Sequence, residues 1–189
     1  MRPRSVTALL LAASCTSAPV APEPTVGPRS PAATAVPSAP AEPFVRTCRT
    51  SVFGELDRGW RGDSILVGPL AFVSGRGYEH EPARSFVEPK GRWSGQKVLV
   101  VVTGETAVTV EIAPEARSSA GLAYDPATFN THEPELTKAA VRFEPCPNQA
   151  STQFNGAFLV DGVSCVPVTV TVEGREPQAR VFEFGPCAT

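Results

Sequence analysis

Histidine is almost missing from this chain of 189 residues, which has only His80 and His132. Lysine is scarce as well, three residues against fourteen arginines, and the formal net charge is −2. Acidic and basic residues are interspersed, so the clustered basic patch that a nucleic-acid surface needs is missing and no nucleic-acid partner is expected. No run reaches 18 apolar residues, which excludes a membrane-spanning helix. Apolar residues nowhere recur at a spacing of 3.6 over a long stretch, which excludes a helical bundle.

These shortages narrow the chemistry. His80-Glu81 and His132-Glu133 each set an imidazole beside a carboxylate, and two such pairs could ligate zinc. They lack tight ligand spacing and sit beside Pro82 and Pro134, so they read as solvated loop residues. No metal and no other cofactor is expected. Ser64 and Ser74 lack the flanking glycines of a nucleophile elbow. Gly75 and Gly77 are too few for a phosphate loop and lie outside a strand-to-helix context. The reading is therefore non-catalytic. The alternatives are an extracellular hydrolase assembled from distant residues such as Asp63, Ser64 and His80, and a purely structural surface protein.

What the chain does have is proline (20), glycine (15) and an ordinary hydrophobic content of 42%, a composition of β-strands and turns. Arg2 and Arg4 precede the apolar run Val6 to Ala13, and small residues Ala13 and Ser14 then lead to Cys15. This is the layout of a secretory signal peptide over residues 1–14. Leu11-Ala12-Ala13-Ser14-Cys15 resembles a bacterial lipobox, in which the cysteine is lipidated and becomes the mature N-terminus; Ala12 stands where that pattern prefers leucine. The chain has five cysteines, Cys15, Cys48, Cys146, Cys165 and Cys187, and an odd thiol in an exported protein needs a role. Lipidation of Cys15 supplies one and leaves four. The expected location is the outer face of the cytoplasmic membrane, with secretion as the alternative.

Residues 15–44 join that lipid site to the rest of the chain. Thr16 to Phe44 holds eight prolines and seven alanines, too little apolar bulk to offset the entropy of ordering, and predicts a disordered linker. Polyproline geometry at about 3.1 Å per residue would let it reach about 90 Å.

From Val45 to Thr189, strand signals recur between Gly, Pro and Asp turns. They predict an all-β domain, an antiparallel β-sandwich of about nine strands with immunoglobulin-like architecture only, because neither Trp60 nor Trp93 lies between Cys146 and Cys165. The uniformly apolar Val98 to Val102 reads as a central strand turning at Gly104 into Thr106 to Ile112. Asp161-Gly162 reads as the type I′ turn of a second hairpin, with Val166, Val168, Val170 and Val172 facing inward. The four domain cysteines allow three pairings; Cys146 with Cys165 and Cys48 with Cys187 is the favoured one, since chain ends often lie close together.

Several segments add a resemblance. Phe143-Glu144-Pro145-Cys146, Thr152 to Phe158, Cys165 to Val168, Phe184 to Cys187 and, upstream, Gly62 to Leu70 together look like a family of uncharacterised exported proteins from high-GC Gram-positive bacteria. The likeness covers most of the chain beyond Arg46 and implies export, with no known activity. Among single residues, Trp93 in Gly91-Arg92-Trp93-Ser94-Gly95 is the foremost candidate contact for a sugar or peptide, with Tyr78 and Trp60 as weaker candidates, because loops on a rigid scaffold often carry binding residues. Arg61-Gly62-Asp63 spells an adhesion tripeptide but fits a tight turn into the next strand. The expectation is a monomer contacting the membrane through Cys15 and an unidentified envelope partner.

Overall fold

Twelve strands and three short 3-10 turns account for the regular structure of the computed structural model, which describes residues 39–73, 93–128, 130–131, 133–162, 165–184 and 187. The signal segment, most of the linker, Tyr78, His80, His132, Ser74 and the strand expected at 84–87 lie outside the described residues. The strands are β1 (Phe44–Arg46), β2 (Ile65–Val67), β3 (Leu70–Val73), β4 (Trp93–Lys97), β5 (Leu99–Thr103) and β6 (Val108–Ile112). Then follow β7 (Ala120–Ala123), β8 (Ala140–Phe143), β9 (Ser151–Phe154), β10 (Ala157–Asp161), β11 (Cys165–Val172) and β12 (Gln178–Glu183). No α-helix occurs among the described residues. The all-β expectation holds, with more and shorter strands than the nine expected. Two of the 3-10 turns, Pro114–Ala116 and Pro134–Leu136, begin at a proline.

One layer is a five-stranded sheet in the order β1-β8-β6-β11-β12. Its pairs are antiparallel except β1 with β8, which run parallel with Arg46 opposite Phe143. Two smaller sheets, β2-β3-β5-β9 and β4-β10-β7, share a continuous ribbon. Trp93 to Thr103 is one stretch interrupted only at Val98, and Ser151 to Asp161 is one stretch interrupted at Asn155-Gly156. The register passes through the break without slipping: Lys97 faces Ala157, Val98 N–H donates to Gly156 O at 3.0 Å, and Val100 faces Phe154. The smaller sheets are thus two halves of one bent sheet, and the bend is placed where the chain offers a glycine.

Side-chain alternation seats the core. Val108, Val110 and Ile112 of β6 and Val166, Val168, Val170 and Val172 of β11 are buried, while the residues between them are only half-buried. Val100, Val101 and Val102 are all buried, as a strand covered on both faces requires. All three sheets contribute to one apolar cluster, and Trp93 joins Ala123, Ala157 and Leu159 in a small second one.

Two expected hairpins are corrected. β5 pairs with β3 and β9 while β6 pairs with β8 and β11, so the turn at Gly104 carries the chain from one sheet to another. Likewise β10 pairs with β4 and β7, and β11 with β6 and β12. Gly162 does take a positive φ of 61°, as the Asp-Gly pair demands, but the turn changes sheets. Alternation tells which face a strand buries, and not which strand lies along its edge.

The disulfides also depart from the favoured pairing. They join Cys48 to Cys146, with Cα atoms 4.7 Å apart, and Cys165 to Cys187, at 5.6 Å. The parallel pairing of β1 and β8 explains the first: Arg46 opposes Phe143, so the two chains leave the sheet side by side and reach their cysteines together. The second follows from β11 and β12, which place Cys165 opposite Glu183, four residues before Cys187.

Candidate functional site

Trp93, expected in a loop, is the first residue of β4. It lies half-buried across Ala123, Ala157 and Leu159, opposite Asp161 in the register. Ser94-Gly95-Gln96-Lys97 continues as strand because β10 pairs with it, from Lys97 opposite Ala157 to Ser94 opposite Val160, a distant partner that no local signal reveals. Trp60 is also half-buried, and the Arg61 guanidinium lies 4.8 Å over its ring. Arg61-Gly62-Asp63 is folded into a turn: Gly62 N–H donates to Gly59 O at 2.7 Å and Ser64 N–H to Arg61 O at 3.3 Å. Ser64 is fully buried, and its hydroxyl donates to Trp60 O at 2.6 Å, so this serine closes a turn and presents no nucleophile to solvent. Among the described residues no group of three His, Cys, Asp or Glu side chains converges as a metal site would require.

The most organised polar constellation escaped the sequence reading. Arg46, the last residue of β1, has no solvent exposure. A guanidinium carries five N–H donors, and here each has an acceptor. Nε donates to Thr50 Oγ1 at 3.0 Å; Nη1 donates to Tyr124 O and, at 3.0 Å, to Asn155 O; Nη2 donates to Thr50 O and, at 3.5 Å, to Asn155 Oδ1. The ring of Phe154 lies 5.4 Å beneath the guanidinium carbon. No carboxylate among the described residues forms an ion pair with it. Burial lowers its pKa from the ordinary guanidinium value to about 10, with the fields of Tyr124 and Asp125 opposing the shift, so it stays charged at neutral pH.

This cluster sits on the bend of the second layer. Tyr124 donates its hydroxyl to Val98 O at 2.8 Å, and a Cβ on Gly156 would fall 2.2 Å from its ring. Val98 and Gly156 lie in the two interruptions of the ribbon, so Tyr124 caps the bend, and Arg46 holds Tyr124 and Asn155 by hydrogen bonds. With all five donors committed to the protein, Arg46 is not available to an anionic ligand. The sequence signal was slight: one arginine in an otherwise apolar strand, one tyrosine and an Asn-Gly pair.

Two surface features remain. Phe53 is 77% exposed, the most exposed large apolar residue described, in the segment between Val52, bridged to Gln153 of β9, and β2 at the other edge of that sheet. A shallow groove of about 580 Å³ lies where Ala113 and Pro114 meet Pro167 of β11 and Ala179 and Val181 of β12, with Glu115 and Arg180 beside it. Comparison of the chain with protein-family models, with curated proteins and with solved structures finds no match.

Proposed function

We propose that this chain is an exported, non-catalytic module of the cell envelope, held at the outer face of the cytoplasmic membrane by a lipid on Cys15 and contacting a protein, glycan or wall component through its β domain. The observation that carries the reading is a count. Two disulfides consume Cys48, Cys146, Cys165 and Cys187, which leaves Cys15, at the end of the apolar N-terminal run, as the odd cysteine. Paired cysteines favour an oxidising compartment, in keeping with export. A multi-chain lipid holds a protein at a membrane far more firmly than a single chain does. The burial of Ser64 and the commitment of Arg46 support a non-catalytic role.

Expression of the full chain in a Gram-positive host tests the anchor. The mature N-terminal peptide should begin at Cys15 with a diacylglyceryl mass, and Cys15→Ser should move the protein from the membrane fraction to the medium. An unmodified N-terminus elsewhere would reject the lipid and leave secretion. For the partner, Phe53 is the exposed aromatic to test. Capture of envelope fractions by the full chain should fall about tenfold or more in Phe53→Ser. Equal capture by Phe53→Ser and the parent would remove that surface from the reading.

A further inference from the structure

We propose that Asn155 is a self-modification site at which the side-chain amide is converted to a carboxylate, placing a charged acceptor directly on the buried Arg46 guanidinium, which forms no ion pair among the described residues. Three observations meet there. Asn155 is followed by Gly156, which has no Cβ to keep its backbone nitrogen from the preceding side chain. The pair lies in the break between β9 and β10; Gly156 is buried but Asn155 is only half-buried, so water reaches the pair beside the Asn155 side chain. The Asn155 Oδ1 lies 3.5 Å from Arg46 Nη2, so the guanidinium polarises the amide carbonyl and stabilises the negative charge that develops on that oxygen during attack.

In the first step Gly156 N loses its proton to solvent and bonds to Asn155 Cγ. The bond from Cγ to the side-chain nitrogen breaks, and that nitrogen takes a proton and leaves as ammonia. Water then adds at Cγ, the bond to Gly156 N breaks, and the backbone nitrogen regains a proton. The sum is amide plus water to carboxylic acid plus ammonia, with no change of oxidation state. Opening at the backbone carbonyl instead would give isoaspartate and lengthen the main chain. Arg46 holds Asn155 O and Val98 N–H holds Gly156 O, which favours the product that keeps the native path. Hydrolysis of the amide drives the conversion, and the buried cation favours the charged product, because its hydrogen bond to a carboxylate is stronger than one to a neutral carbonyl.

The test incubates the purified full chain at neutral and mildly alkaline pH and maps residue 155 by peptide mass and by aspartate-to-isoaspartate ratio. The native chain should convert Asn155 ahead of Asn130 and Asn148 and yield mainly aspartate, whereas the chain unfolded in urea should lose that product preference. Persistence of the amide at 155 while another asparagine converts, or the same product ratio folded and unfolded, would overturn the proposal. Asn155→Asp supplies the product directly. Its ratio of folded to unfolded chain should exceed the parent's by about tenfold, and a lower ratio would also overturn it.

Discussion

Two regions of the core are held by different kinds of force. In one, Phe72, Phe158, Phe182 and Phe184 pack ring on ring, with centroids 4.5 Å apart for Phe72 and Phe182 and 4.8 Å for Phe158 and Phe182. In the other, Tyr124, Phe143 and Phe154 surround Arg46, and directed hydrogen bonds share the burial with packing. Each region has its own disulfide close in sequence, Cys165–Cys187 beside Phe184 and Cys48–Cys146 beside Arg46 and Phe143. Dispersion and the hydrophobic effect have no preferred direction, so the phenylalanine region should accept replacements of similar volume. The arginine region should accept none, because five acceptors need one planar fork.

The sharpest break of this comparison is Arg46→Ala, which leaves a cavity and several buried carbonyls without donors. We expect a loss of about 5 kcal/mol, read from the denaturant midpoint. Arg46→Lys should recover little of it, since an ammonium has three donors and no fork. Arg46→Met fills much of the volume with none of the bonds. If that variant matches the parent, packing alone holds this region too and the contrast disappears.

The disulfides carry the next effect. Loop-closure entropy gives about 4.7 kcal/mol for a loop near 100 residues and about 3 kcal/mol for a short one, and the two bonds span 98 and 22 residues. Replacing Cys48 and Cys146 by alanine should therefore cost more than replacing Cys165 and Cys187. Access runs the other way: Cys146 is 1% exposed and only Cys48 of that pair is half-buried, whereas Cys165 and Cys187 both are. Graded reductant followed by alkylation should label Cys165 and Cys187 first. Labelling of Cys146 first would show that the Arg46 region is the looser one.

Phe158 tests the apolar side. It contacts Phe72, Phe182 and Phe184, so Phe158→Ala should cost about 4 kcal/mol, while Phe158→Leu should cost below about 2 kcal/mol. A leucine as damaging as the alanine would mean that ring geometry, and not volume, holds this region.

That apolar side was legible in the sequence, and the polar side was not. Alternation at Val108, Val110 and Ile112 and along Val166 to Val172 reports burial directly, because side-chain direction in a strand has a period of two. Strand partners are another matter. The period is the same whichever strand lies alongside, so the turns at Gly104 and Gly162 looked like hairpins although each changes sheet. The same blindness hid the parallel pair of β1 and β8, and with it the Cys48–Cys146 bond. Arg46 was unreadable for a related reason. Three of its five acceptors are main-chain carbonyls, which every residue possesses, and the two side-chain acceptors, on Thr50 and Asn155, follow no pattern that marks their positions.

Gly156 joins the two kinds of force at one point and gives the smallest of the expected effects. An added Cβ would lie 2.2 Å from Tyr124 Cδ1 and 2.5 Å from its Cγ and Cε1, closer than any methyl can sit. The ring has little freedom to yield, being held by its hydroxyl on Val98 O at 2.8 Å and edge-on against Phe143 at 5.2 Å. Gly156→Ala should therefore cost about 2 kcal/mol, within the range for overpacking a filled core. Gly121 is the comparison: a Cβ there would lie 2.1 Å from Thr137 Oγ1 and 2.5 Å from its Cβ. The next residue, Lys138, is bridged to Leu122 by bonds of 2.9 Å in both directions, so Thr137 has little room to yield and Gly121→Ala should cost a similar amount. The cause is isolated by a cycle with Tyr124→Leu, which removes the ring and its hydroxyl together. In that background Gly156→Ala should become nearly neutral, a coupling of about 1–2 kcal/mol. Additive costs would show that the ring is not what the glycine accommodates, and that the bend is set by the backbone of the ribbon alone.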